Sequence, residues 1–292
     1  MSTSLIKPGV AEVIPGVLKV HVKDVPWELF PEPSGRVFPP NQIISMAPGI
    51  LGVNQPPGFT ADVHSHSTDM VYLFSQGEMS MPGEGTYRAG DMRIVKANTV
   101  YGPETTGPNG VKFLLFSIGN EIGTKWIDGT SEHAYDKPST DADVKPVSTI
   151  NTGIIEVIPG IRKVHIADVP WERVPEPSGR VFPPSRMISR DPGILGVSQP
   201  PGFVCDIHSY TTDVVYFFTA GEMSTPGEGT YHAGDLRIVK ANTFHGPETA
   251  GPKGVQLMLI SIGDEFATNW VDDTSKDTHK NLGKRDHAGL QA

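Results

Sequence analysis

Apolar residues in this chain gather in short runs. Ile50-Leu-Gly-Val53, Val71-Tyr-Leu-Phe74, Met92-Arg-Ile-Val95 and Val111-Lys-Phe-Leu-Leu-Phe-Ser-Ile118 are rich in β-branched and aromatic residues. Pro-Gly, Pro-Pro-Gly, Gly-Glu-Gly and Gly-Pro turns punctuate them. Short strands at turn-marked spacing predict an antiparallel sandwich or barrel. A helical turn is expected only around Val25-Pro-Trp-Glu28 and around Glu121 to Trp126.

The pattern occurs twice. Glu12-Val-Ile-Pro-Gly16 returns as Glu156-Val-Ile-Pro-Gly160, and the match continues without a gap to Thr130/Thr274. About two-thirds of the paired positions are identical, which identifies a tandem duplication. The expected division is a first domain over 1–135, a polar linker over 136–154, a second domain over 155–274 and a loose tail over 275–292. Duplicated domains commonly pair about a pseudo-twofold axis, so an intrachain pseudo-dimer is expected. A further homodimer is left open.

Composition then narrows the functional classes. The 292 residues carry 24 Lys+Arg against 33 Asp+Glu, a formal charge of −9, with 32 Gly and 27 Pro. Without a cluster of cations, nucleic acid and anionic membrane are excluded as expected partners, leaving small molecules or proteins. The single cysteine, Cys205, permits no intrachain disulfide or thiolate zinc cage and suits a reducing cytosol. No apolar run is long enough for a signal peptide or a membrane span. A cytoplasmic location is the expectation.

Gly58-Phe-Thr-Ala-Asp-Val-His64-Ser-His66 places two histidines on alternate residues after a glycine. On a strand, Asp62, His64 and His66 share one face. Gly77 closes the next strand, and Gly90-Asp91 opens another that leads to Lys96-Ala-Asn-Thr-Val-Tyr101. This framework resembles the cupin superfamily, with signatures Gly-x5-His-x-His-x3/4-Glu-x6-Gly and Gly-Asp-x4-Pro-x-Gly-x2-His. Both copies match the spacing, so the chain resembles a bicupin. The resemblance implies an all-β fold of two tandem antiparallel cupin (double-stranded β-helix) barrels.

The ligand positions depart from that pattern. The family's glutamate falls on Met70 and Val214, which read as core, and its Pro-x-Gly falls on Lys96-Ala-Asn98 and Lys240-Ala-Asn242. The three histidine positions read His64, His66, Tyr101 in the first copy and His208, Tyr210, His245 in the second. Each cup therefore keeps two histidines and one tyrosine, on opposite walls. His64, His66, His208 and His245 are the candidate metal ligands; Tyr101, Tyr210, Asp69 and Asp213 are the candidate catalytic groups. A strand shifted by one residue would turn Asp69 or Asp213 inward as the missing carboxylate. Otherwise these aspartates are turn residues facing solvent. Glu104 and Glu248 are expected in a loop after the last strand. His21 and His165, matched between copies, are expected in structure or the inter-domain contact.

Three functions follow from the resemblance and the surviving residues. The first is a metal-dependent, non-haem-iron type oxygenase (a dioxygenase) acting on a carbonyl or aromatic metabolite, with Fe as the expected metal and Zn, Ni or Mn as alternatives. The second is a redox-neutral cyclase, dehydratase or isomerase using His/Tyr acid–base chemistry, with no metal or a weakly bound one. The third is a non-catalytic ligand-binding or storage bicupin. The reciprocal exchange predicts that the two cups are not equivalent.

Overall fold

The computed structural model describes residues 4–29, 34–119, 122–127, 148–174, 179–263 and 266–271. Of the expected linker only 148–154 is described, and it contains the strand Ser148–Asn151; the expected tail, 275–292, lies outside the described residues. Among the described residues the secondary structure is β-strand with two single 3-10 turns, Val22–Asp24 and Ile166–Asp168. The first of these turns precedes the first segment expected to be helical, whose Trp27–Glu28 is instead a short strand pairing with Asn41–Met46. Thr124–Trp126, in the second such segment, is also a strand, because it pairs with His64–His66.

Each repeat builds a large antiparallel sheet whose centre is a long strand flanked by two others. In the first, Asp69–Met81 lies between Asp91–Val95 and Glu104–Ile118, which continues to Gly49–Gln55 and Asn41–Met46. In the second, Val214–Thr225 lies between Asp235–Val239 and Glu248–Ser261, followed by Gly193–Gln199 and Ser185–Arg190. Small two-stranded sheets, His64–His66 with Thr124–Trp126 and His208–Tyr210 with Thr268–Trp270, add a further wall to each cup.

Sheet membership crosses the repeat boundary. The strands Val10–Ile14 and Val17–His21 join the second sheet, with Val17 opposite Val239 and His21 opposite Asp235. Ile154–Ile158 and Ile161–His165 join the first, with Ile161 opposite Val95 and His165 opposite Asp91. Across these seams His21 Nδ1 lies 2.7 Å from Asp235 and His165 Nδ1 lies 2.6 Å from Asp91. The two histidines therefore have the inter-repeat place expected of them.

Period-two alternation separates two apolar layers. Val71, Leu73, Met92, Ile94, Leu114 and Phe116 face the other repeat and join Val215, Leu236, Ile238, Met258 and Ile260 in one shared core. The intervening residues Met70, Tyr72, Phe74, Phe113 and Leu115 face the interior of the first cup. Tyr216, Phe218 and Leu257 do the same in the second. The glycines that end the central strands are fixed by geometry. Gly77 and Gly221 have φ of 70° and 69°, and a Cβ there would lie 2.0 and 2.1 Å from the carbonyls of Gly110 and Gly254. Neither the backbone conformation nor the space admits another residue.

Candidate functional site

The cup interiors receive their polar residues from strand alternation. His64 and His66 lie on the same short strand, and Tyr101 meets His64 through reciprocal backbone hydrogen bonds of 3.0 Å. In the second cup His208 and His245 are joined in the same way, by bonds of 3.0 and 2.9 Å. The turn before this last position carries Asn98 and Asn242 at φ of 62° and 60°, where the family signature has glycine. Asparagine tolerates this left-handed conformation, so the turn survives the replacement.

The structure brings His64, His66 and Tyr101 together, and likewise His208, Tyr210 and His245, all buried. It does not bring Asp69 or Asp213 to them. The shift that would turn these aspartates inward does not occur: Met70 and Val214 are the inward, fully buried residues. Asp69 instead accepts bonds from Lys96 Nζ at 2.6 Å and from Ala97 N at 2.7 Å, bracing the turn at the rim. Asp213 does the same for Lys240 and Ala241, both at 2.8 Å.

The carboxylates of the cups are Glu104 and Glu248. Each is the first residue of a long strand rather than part of a loop, and each is buried. Arg93, itself fully buried, donates from Nε and Nη2 to Glu84 at 2.7 and 2.5 Å and from Nη1 to Glu104 at 2.9 Å. Arg237 holds Glu228 and Glu248 identically. Tyr87 and Tyr231 donate to Glu84 and Glu228 at 2.9 and 2.7 Å. These Glu–Arg–Glu groups were not singled out from the sequence. Their signal is the arginine at the centre of Asp-Met-Arg-Ile-Val and Asp-Leu-Arg-Ile-Val, a charge on an otherwise apolar strand in both copies. Tyr72 and Tyr216, two residues beyond the lost glutamate position, were missed although alternation places them on the same face.

In the second cup the tautomers are dictated by the backbone. His208 Nδ1 lies 2.7 Å from the Asp206 carbonyl and His245 Nδ1 2.9 Å from that of Thr243. A carbonyl only accepts, so both Nδ1 atoms carry the proton and both Nε2 atoms present a lone pair. Those lone pairs are 3.1 Å apart. Two neutral imidazoles so arranged cannot bond each other, whereas two nitrogens on one first-row ion adopt a separation of about 3 Å. Glu248 Oε1 is 3.5 Å from His245 Nε2, so a carboxylate stands beside the pair. The hydroxyls of Tyr210 and Tyr216 lie 3.2 Å from His208 and His245 Nε2, and Tyr216 donates to the Tyr210 hydroxyl at 3.3 Å.

Electrostatics agrees with this donor set. Burial holds His208 below its ordinary value, and burial together with Arg237 brings His245 down to about 3, so both are neutral. Burial alone would raise Glu248, but Arg237 and the two histidines hold its carboxyl well below the usual carboxylate range. A buried group of Cys205, His208 and Glu248 has donor atoms within 4.8 Å of one another and could hold a metal ion. Cys205, however, approaches His208 at Nδ1, 3.9 Å away, the nitrogen already committed to the backbone. Burial also raises the thiol far above its ordinary value. The set centred on Nε2 is therefore the better fit.

The first cup differs where Tyr101 replaces the cross-wall histidine. His64 and His66 donate from Nδ1 to the carbonyls of Asp62 and Gly123 at 2.7 and 2.8 Å, leaving Nε2 inward. The Tyr101 hydroxyl is bonded to Tyr72 at 2.8 Å, and Arg93 sits 4.2 Å above its ring. Burial raises Glu104 above the ordinary value despite Arg93. Beside these residues each cup has a small cavity, about 100 Å³ in the first and about 140 Å³ in the second. The second is walled by Phe182, Tyr210, Tyr216, Phe266 and Trp270. A cavity near 150 Å³ accommodates one benzene ring.

No protein-family model matches the sequence, and no curated protein matches it. Among solved structures, a candidate dioxygenase from Nostoc punctiforme PCC 73102 superposes with a TM-score of 0.64 at 12% identity, over 91% of this chain and 92% of that one. A variant of oxalate decarboxylase from Bacillus subtilis gives a TM-score of 0.50 at 14% identity, over 97% and 81%. Among the described residues no helix is long and apolar enough to cross a membrane. With near-complete coverage of both chains and a duplicated all-β architecture, this chain has the bicupin fold.

Proposed function

We propose that this chain is a metal-dependent oxygenase acting on a small aromatic or carbonyl compound, with its active centre in the second cup. The observation that carries this reading is the pair of backbone-locked imidazoles whose Nε2 lone pairs converge at 3.1 Å beside Glu248. His208, His245 and Glu248 would hold the ion, a donor set of the kind that leaves positions open on non-haem iron. Such an ion supplies the redox chemistry by which dioxygen and an organic substrate react. Arg237, itself held by Glu228, keeps Glu248 charged and oriented. Tyr210 and Tyr216, held as neutral phenols by burial, are the hydrogen-bond donors facing the cavity. The aromatic wall favours a planar substrate and keeps water out. The first cup, with Tyr101 locked to Tyr72, is assigned a structural role.

A second reading, redox-neutral proton transfer, is favoured by the direct contacts of His208 with Tyr210 and of His245 with Tyr216. Metal analysis of protein purified without chelators, followed by oxygen uptake with candidate phenols and ketones, separates the two. The oxygenase reading expects about one ion per chain. His245→Ala and Glu248→Gln should lose that ion, and His66→Ala should retain it. Full turnover in EDTA without oxygen uptake would establish the second reading, and equal metal loss in His66→Ala and His245→Ala would remove the distinction between cups.

A further inference from the structure

A third cavity lies outside both cups. About 660 Å³ of space opens where the outer faces of the two sheets diverge beside the shared core, a volume typical of small-molecule sites. Its walls are pseudo-symmetric and apolar: Leu73 and Leu114 from one repeat, Phe217 and Met258 from the other, with Trp27 and Trp171 at matched positions. Those tryptophans remain 46% and 42% exposed.

The charged residues of this lining break the symmetry. They are Lys23, Lys112 and Arg186, with no aspartate or glutamate among the lining residues, in a chain whose net charge is −9. Their counterparts in the other repeat are uncharged: Ala167, Gln256 and Gln42. None of the three makes an ion pair among the described residues. At the Gln42 position the side-chain amide is satisfied, donating to the carbonyls of Val22 and Val25 at 2.7 and 2.8 Å. Arg186 donates to the equivalent carbonyl of Ile166 and stacks 4.5 Å above Trp171, yet its buried Nε has no partner. A buried guanidinium N–H left unbonded is costly unless an acceptor arrives.

We infer that this cleft binds a small amphipathic anion, an apolar body bearing one carboxylate. The carboxylate meets Arg186, and the body runs from Trp171 toward Trp27 against the exposed edge of the shared core, while Lys112 and Lys23 add positive potential along the cleft. The site is separate from both cups and independent of the reaction proposed for them.

The test titrates octanoate, octanol and octylamine into the full chain, followed by tryptophan fluorescence and calorimetry. Octanoate should saturate at one site per chain, and the alcohol and amine should bind at least tenfold more weakly. The triple variant Lys23→Ala, Lys112→Gln, Arg186→Gln places at each position the residue its own twin carries, so it should keep its fold and lose at least tenfold in octanoate affinity. Arg186→Gln alone is the fallback if the triple variant does not fold. EDTA should leave octanoate binding unaltered. Equal affinity for octanol and octanoate, unchanged binding in the variants, or binding abolished by EDTA would each overturn the inference. So would sedimentation showing that a second copy covers the cleft and excludes octanoate.

Discussion

Replacing Arg93 by methionine tests the buried charge network without touching the proposed metal ligands. The substitution removes three hydrogen bonds of 2.5 to 2.9 Å and strands two carboxylates, Glu84 and Glu104, that are 1% and 4% exposed. Removing one partner of a buried ion pair costs about 3–5 kcal/mol, because the remaining charge is neither solvated nor compensated. With about 2–4 °C per kcal/mol for a domain of this size, the melting temperature should fall by roughly 6–20 °C. The deficit should shrink as the pH is lowered from 7 toward 5, since protonation of the stranded carboxylates relieves it. Adding Glu84→Gln and Glu104→Gln to the methionine variant should recover most of the loss, because neutral amides need no counter-charge. Thermal and urea unfolding of the three proteins measure this directly. A loss under about 1 kcal/mol, or no recovery in the triple variant, would mean that the network does not act as a compensated unit.

Three further outcomes are expected. Cys205→Ala, which installs the Ala61 of the first repeat, should leave metal content unchanged; loss of the ion would make the thiolate a ligand and displace the Nε2-centred set. In metal-stripped protein His64 and His66 are held down to about 4, chiefly by burial, so their contribution to stability is complete above about pH 6.5 and lost as the pH falls toward 4, at up to about 1.4 kcal/mol per pH unit per histidine. A stability flat over that range, read from urea midpoints, would show that they are not buried neutral. Fragments 1–139 and 140–292, each separated from the outer strands that complete its sheet, should not fold alone as monomers but should recover a cooperative melt when mixed; a monomeric fragment melting near the full chain would contradict the exchange.

Much of the cup was legible because strand geometry is local. His-x-His on one strand must point one way, and the glycines that match the cupin frame sit where positive φ or close approach demands them, as at Gly77 and Gly221. The reciprocal histidine–tyrosine exchange could be read by aligning the repeats, and the structure places all six residues in the two interiors. Asp69 adjoins the vacated glutamate position, but adjacency on a strand reverses the face. Gly-Pro-Glu resembles a loop, whereas Glu104 starts a 15-residue strand and faces inward.

The sequence by itself determined the duplication, the all-β class and the histidines of each cup, since these depend on self-similarity, composition and period-two alternation. Only the tertiary structure decided which carboxylate meets the imidazoles, that each repeat completes the other's sheet, and that a cationic cleft opens between them. These depend on contacts between residues distant along the chain, such as His21 with Asp235 and Arg186 with Trp171. Local pattern assigns a side chain to a face; packing of one face against another decides what it meets there.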